Sequence, residues 1–425
     1  MTAGFGAYRT LLADPRARAF SLAGLVARMP LSMTALSIVL LVTASTGSFG
    51  RAGVITGVGT IVGAVAAPLW GRVIDRYGQA RVLVLAALLC NVSLTLLTVT
   101  VLLQMPLVVT LATAVGAGLG FSSAGSCVRA RWSHRLSDPG LLNTAYAWEA
   151  VVDEVVFIVG PVLATVLATA IHPALGIAAC VVLGLVGALA LAAMRDTQPP
   201  ITGTRGAEEV KVPLPVGLLV PLGVASAALG ALFGAMELVV VAFAREAGIL
   251  RYTGLIIMVW AFGSLVAGLL TGAVTWRATP ARRFQVSAVL LACSVLPLPY
   301  ASNPVLVGGL LMLSGFFIAP TLIASVAVTQ SSVSGSRLNE ALAWSSMGMA
   351  AGVAAGAAGV GQVVDRYGST GGFWGVVAIG VLLILAALCV RPPRRVASVL
   401  VASDGAGPDK APLTAGPAAT GPGNG

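Results

Sequence analysis

Charge is what this sequence has least of. Asp, Glu, Lys and Arg make up 9% of its 425 residues, where a soluble globular chain carries about 25%. So few charges cannot cover a water-facing surface, which excludes a secreted domain, a soluble enzyme and a single-span receptor together. Lysine is nearly absent. Only Lys211 and Lys410 stand among the 25 basic residues, which points to a GC-rich, bacterial genome. The five cysteines (Cys90, Cys127, Cys180, Cys293 and Cys389) lie inside or at the edges of apolar runs. None has a close Cys or His neighbour in sequence, so neither a disulfide framework nor a metal site is indicated. The two histidines, His134 and His172, fall in predicted loops. The first 19 residues lack the apolar stretch and cleavage site of a signal peptide, so the first span is expected to act as its own insertion signal.

What is present is hydrophobicity: 57% apolar residues and a mean hydropathy of +0.96. A membrane-spanning helix takes about 20 apolar residues. Twelve such runs can be placed, near 20–43, 53–70, 82–103, 106–127, 143–169, 173–194, 217–243, 253–275, 284–301, 304–328, 338–361 and 372–390. They are continuously apolar rather than alternating, which argues for helices over transmembrane strands. With the N-terminus in the cytoplasm, 20 Lys and Arg fall inside, four fall outside (Arg51, Arg245, Arg251 and Arg366), and Arg28 falls within the first span. This bias predicts an even span number with both termini cytoplasmic. The net charge of +10 therefore reports topology in a lipid bilayer, not a nucleic-acid partner.

The predicted organisation is a cytoplasmic segment 1–19, six spans in 20–194, a polar central loop 195–216, six spans in 217–390, and a Gly/Ala/Pro-rich, disordered tail 391–425. The halves resemble each other. Leu142-Asn143-Thr144-Ala145-Tyr146-Ala147-Trp148 opens span five and Leu338-Asn339-Glu340-Ala341-Leu342-Ala343-Trp344 opens span eleven, an offset of 196. Gly120-Phe121 matches Gly315-Phe316 at an offset of 195, and Gly71, Arg76 and Arg81 match Gly272, Arg277 and Arg282 at 201. The near-common offset predicts a duplicated six-span unit, an arrangement found in transporters.

After span two comes Gly71-Arg72-Val73-Ile74-Asp75-Arg76-Tyr77-Gly78-Gln79-Ala80-Arg81. It resembles the cytoplasmic signature G-x-x-x-D-R-x-G-R-R/K of the major facilitator superfamily, departing from it at Gln79. The resemblance implies an all-α integral membrane fold of twelve transmembrane helices in two pseudo-symmetric six-helix bundles. It also implies a latch between the halves, with Gly71 for close packing, Gly78 for a turn with positive φ, and Asp75 paired with an arginine and a helix N-terminus. Arg76 and Arg81 complete the pattern. A second copy, Gly361-Gln362-Val363-Val364-Asp365-Arg366-Tyr367-Gly368, falls on the predicted outer side. The duplication does not predict it there, and it reads as the chance likeness of a short polar turn. Gly160-Pro161 in span five resembles, in part, the motif that marks proton-coupled drug exporters. No arginine lies within Thr110–Gly120 of span four, where such exporters tend to carry one.

Five charges fall inside predicted spans: Arg28, Glu149, Asp153, Glu154 and Glu237. A charge at bilayer depth costs about 2.5–3.5 kcal/mol on insertion scales and usually faces the bundle interior for a functional reason. Glu149 and Asp153, four apart, share a helix face, and Glu154 is rotated by about 100°. Arg28 is expected to pair with Asp153 or Glu149 in one conformation, and protonation of a carboxylate to break that pair. Small residues at Gly116-Ala117-Gly118-Leu119-Gly120 and at Gly352, Gly356, Gly359 and Gly361 predict tight interhelical packing. No nucleotide-binding motif, cofactor motif or catalytic cluster is visible, so a membrane enzyme is disfavoured and energy must come from an ion gradient. The reading is a monomeric secondary transporter of a small organic molecule in the bacterial cytoplasmic membrane, coupled to protons and exporting its substrate. Proton-coupled uptake, facilitated transport and a non-transporting sensor are the alternatives.

Overall fold

Helix starts are written plainly into this chain. Four helices open on a capping side chain followed by proline, at Asp14-Pro15, Asp138-Pro139, Thr279-Pro280 and Asn303-Pro304. In each, the side-chain oxygen accepts a backbone N–H of the first turn, as Asp14 does from Arg16 at 2.9 Å and Asn303 from Val305 at 2.8 Å. Proline in the first turn gives up an N–H that has no helical partner anyway.

The computed structural model describes residues 10–121, 124–201, 216–273, 277–333 and 338–390. Most of the predicted central loop and the whole tail 391–425 lie outside the described residues, as do residues 1–9. In order, the helices are α1 (Pro15–Thr46), α2 (Phe49–Tyr77), α3 (Gln79–Leu102), α4 (Leu107–Gly120), α5 (Ala124–Arg135), α6 (Pro139–Ala170), α7 (Leu175–Ala193), α8 (Val216–Glu246), α9 (Thr253–Ala273), α10 (Pro280–Ser294), α11 (Pro304–Ser332) and α12 (Leu338–Cys389). Among the described residues, eleven helical segments are long and apolar enough to cross a membrane, α4 and α5 together counting as one.

Two expectations about span ends are corrected. Span four does not stop near residue 127; it continues as α5 to Arg135, after a break where Phe121 is extended at ψ 102°. Arg129, Arg131 and Arg135 therefore ride on a helix instead of a loop. Spans eleven and twelve are not parted by a loop over 362–371. Two helices, labelled together α12, meet there directly at a kink on one non-helical residue, Gly368, at φ 68° and ψ −170°.

Small residues set the closest packing. A Cβ built on Gly352 or Gly356 would run into the Ala227 or Ala231 carbonyl of α8, and one on Gly230 or Gly234 into the Met349 or Val353 carbonyl of α12. Gly118 and Gly120 pack likewise on α2 and α3, whereas Gly359 has nothing within 4 Å. Helix α1 packs on α6 and α7, α3 on α4 and α7, α8 on α12, and α9 on α11. Between the two stretches of chain, α2 lies against α12 and α6 against α9. The spans most enclosed by protein are those of α8 and α1, 83% and 67% buried against at most 50% for the rest. These two carry Glu237 and Arg28.

Candidate functional site

Arg28 sits where α1, α5 and α6 meet. Gly24 and Gly125 make the room: a Cβ on Gly24 would stand 2.5 Å from Val128, and one on Gly125 would press the Arg28 side chain at 3.3 Å. The guanidinium makes three contacts. Nε donates to the Gly24 carbonyl at 3.0 Å, Nη2 to Glu149 Oε2 at 2.5 Å, and Nη1 to Asp153 Oδ1 at 2.8 Å. Arg28 thus pairs with both carboxylates at once.

The two carboxylates are not equivalent. Glu149 is fully buried, and its other oxygen accepts from the Ser21 hydroxyl and the Trp132 indole N–H, each at 2.9 Å. The Trp148 indole in turn donates to Ser21 at 2.9 Å. Three donors from α1 and α5 thus surround the buried Glu149 carboxylate. Asp153 stays 29% exposed, and its second oxygen accepts from Arg129 at 2.6 Å, whose own side chain is 45% exposed. It is the more exposed of the two carboxylates and the one shared between two arginines.

The other two acidic residues stand apart. Glu154, partly buried on the neighbouring face of α6, enters none of the ion pairs among the described residues. Glu237 lines a cavity of about 20 Å³ between α1, α2, α8 and α12, with Val39, Thr56, Thr60, Gly234 and Val353. That is room for about one water, so this part of the interior is shut. One turn before Glu237, Phe233 packs on Trp260 with ring centroids 5.4 Å apart. The buried Trp260 indole N–H has no partner among the described residues. Inside apolar runs these aromatics read only as core.

Gly160 and Pro161 lie in an unbroken α6. Ser32 of α1 fills the space beside Gly160 and donates to the Val156 carbonyl at 2.7 Å. Gly254 of α9 rests on the Pro161 carbonyl, so this dipeptide falls where α6 meets α9.

The signature after span two forms the last turn of α2 and the start of α3. Gly78 takes φ 83°, as its turn requires. Gly71, expected in close packing, has nothing within 4 Å of a built Cβ. Asp75, Arg76 and Arg81 are exposed; Asp75 joins no ion pair among the described residues, and Arg76 lies over the Tyr77 ring at 5.3 Å. The departure at Gln79 has a physical reason. Gln79 is buried, accepts from Arg131 Nε at 2.9 Å and donates to the Cys127 carbonyl at 3.2 Å. Arg131, fully buried, also donates to the Leu191 and Met194 carbonyls and the Thr197 hydroxyl. A basic residue at 79 would face that guanidinium. Sequence reasoning missed Arg131 because an arginine among Arg129 and Arg135 reads as a positive loop.

The described residues form membrane-length apolar helices, with a buried arginine of the enclosed α1 paired to two carboxylates of α6, which is the build of a polytopic membrane protein. The chain is a member of the Major Facilitator Superfamily, whose family model matches residues 20–313. It is similar in structure to the nucleoside transporter NupG, at 12% identity and TM-score 0.67, over 89% of this chain and 98% of that one. A bacterial homologue of the iron transporter ferroportin in an inward-facing state matches at 15% identity and TM-score 0.65, over 87% and 97%. The POT family transporter PepTSo matches at 11% identity and TM-score 0.65, over 88% and 96%. At these identities the likeness is one of fold. Comparison with curated proteins finds no match.

Proposed function

We propose that this chain moves a small organic molecule across the bacterial cytoplasmic membrane by alternating access, exporting it in exchange for protons. The observation that carries the reading is the Arg28–Asp153–Arg129 chain, a partly exposed carboxylate held by two arginines beside the fully satisfied Glu149. A proton on Asp153 would release both arginines and bias a two-state equilibrium. Glu237, on the most enclosed helix, is the second carboxylate placed for substrate or proton, with Glu154 third. Asp75, Arg76 and Arg81, with Gly71 and Gly78, form the cytoplasmic latch of the opposite conformation, and Gly160-Pro161 shapes the contact of α6 with α9.

The same reading takes α12 as two crossings. Its 52 residues would extend about 78 Å as one helix, against a hydrocarbon core of about 30 Å, and Gly368 is where it turns. Twelve crossings then fall into bundles 20–194 and 217–390, with both termini in the cytoplasm.

The test is accumulation of a panel of fluorescent and antibiotic compounds in a pump-deficient bacterial host, for wild type and Asp153→Asn, with and without a protonophore. Lower accumulation with wild type, abolished by both the protonophore and the substitution at equal expression, supports proton-driven export through Asp153. No difference from empty vector for any compound removes the export reading.

A further inference from the structure

We propose that the second copy of the signature, Gly361–Gly368, is an outer latch that holds the predicted outer face shut. Resting on the alternating-access reading, it extends that reading to a residue set outside the cytoplasmic signature.

The contacts are specific. Asp365, in the last turn before Gly368, accepts the Phe49 N–H at 2.6 Å, the Gly50 N–H at 2.9 Å and the Ser48 hydroxyl at 2.7 Å. Ser48 in turn accepts the Arg51 N–H at 3.1 Å. Three of the four N–H groups left open at the start of α2 are thereby satisfied, and a carboxylate lies at the positive end of a helix dipole. The cap comes from a helix 316 residues away in the chain. Glycines bring the two backbones together. A Cβ on Gly50 would stand 2.9 Å from Asp365 Oδ2, and one on Gly361 2.6 Å from the Phe49 carbonyl. Deeper in, Gly53 packs on Ala357 and Gly57 on Ala354. At the same end, Arg245 of α8 donates at 3.2 Å to the Thr43 carbonyl of α1, which also accepts the Gly47 N–H at 3.0 Å.

The likeness of the two copies is therefore more than a polar turn. Each is G-x-V-x-D-R-Y-G, with the first glycine seven residues before a positive-φ glycine across which helix resumes, Gly78 at φ 83° or Gly368 at φ 68°. Each ends one member of an antiparallel pair, α2 and the first part of α12. In that arrangement the aspartate closing either helix faces the N-terminus of the other. Asp365 makes this contact; Asp75 makes none among the described residues, which omit 334–337 before α12. Asp365 is at the surface, so water can replace its bonds and the latch can release.

The experiment places a cysteine at Thr60, which lines the shut cavity beside Glu237. Its labelling by a membrane-impermeant maleimide is followed from the outer side in intact cells, with the parent chain as background. Asp365→Asn is expected to raise the labelling rate about fivefold or more. Gly50→Ala, which crowds the same carboxylate, should raise it too, and Asp75→Asn should lower it. If Asp365→Asn and Gly50→Ala, eluting as folded monodisperse protein, leave the rate unchanged while Asp75→Asn shifts it, the outer latch is overturned and alternating access stands. If none of the three moves the rate, both fall. A rise in all three marks general loosening and also overturns the latch.

Discussion

The two ends of α2 carry much the same kinds of residue and behave differently. At its N-terminal end, Phe49 to Gly57 are mostly buried, three small residues touch the backbone or side chains of α12, and the free N–H groups are capped by Asp365. At its C-terminal end, Gly71 meets nothing and Asp75 and Arg76 face outward unpaired among the described residues. The signature sequence alone therefore does not say whether a latch is closed. It supplies a glycine to allow approach and an aspartate to cap, and the partner helix has to arrive. On the proposed alternating-access reading, the engaged end belongs to one state and the other end is kept for the opposite one.

The largest effect expected from this asymmetry comes from Gly53→Val. Its branched side chain meets the Ala357 carbonyl, a backbone group that cannot swing aside. The cost is about 3 kcal/mol, the upper part of the usual range for overpacking, read as a lower Tm of the detergent-purified protein. Gly71→Ala is the counterpart. With open space around it and a helical backbone, it should leave Tm unchanged or raise it slightly, since alanine is favoured over glycine by about 0.5–1 kcal/mol within a helix. Equal losses from the two would erase the difference between the ends.

Next in size is Gln79→Arg, which restores the basic residue of the family signature beside the free end. It removes the acceptor of Arg131 Nε at 2.9 Å and sets a second guanidinium against a fully buried one. A loss of about 2 kcal/mol or more follows from leaving a buried charged donor unpaired. Gln79→Glu, which keeps an acceptor and adds an opposite charge, should be milder in the same thermal assay. The order of the two would reverse if position 79 faced solvent, as a plain positive-inside turn would require.

How much of this was legible follows from what each feature depends on. Span positions depend on length and hydropathy, which are local, and most were placed within a few residues. The fourth went wrong because Arg129, Arg131 and Arg135 look like loop. Arg131 is tolerated on a buried helix face only because the end of α7 offers the carbonyls of Leu191 and Met194, and no local pattern announces that. The meeting of Arg28 with the acidic face of α6 was legible, because a charge at bilayer depth has to find a partner. Which carboxylate would be sealed was not, since it rests on Ser21 and Trp132 arriving from two other helices. The motifs matched between the two halves are not transferable atom for atom. Gly120 packs on Cys90 of α3, whereas Gly315 packs on Trp260 of α9.

The smallest effect belongs to the predicted inner end, where Asp14 caps α1 and accepts from Arg135 Nη2 at 2.6 Å and Nε at 3.0 Å. Partial burial alone would raise its carboxyl pKa, but the hydrogen bonds from Arg135 and the Arg16 N–H and the charge of Arg135 together hold it below the ordinary 3.8. A depressed folded pKa means that the stabilisation is complete above the unfolded value and is lost as pH falls through the folded one. The contribution is therefore constant through the neutral range and fades only in acid below the usual carboxylate range. Because the pair is water-exposed and screened, Asp14→Asn should lower Tm by no more than a degree or two at pH 7, and the gap from wild type should narrow toward pH 3. A gap that widened with acid would mean that Asp14 is held protonated in the folded chain, and that the inner end of α1 is fixed by its proline and packing instead of by the Arg135 pair.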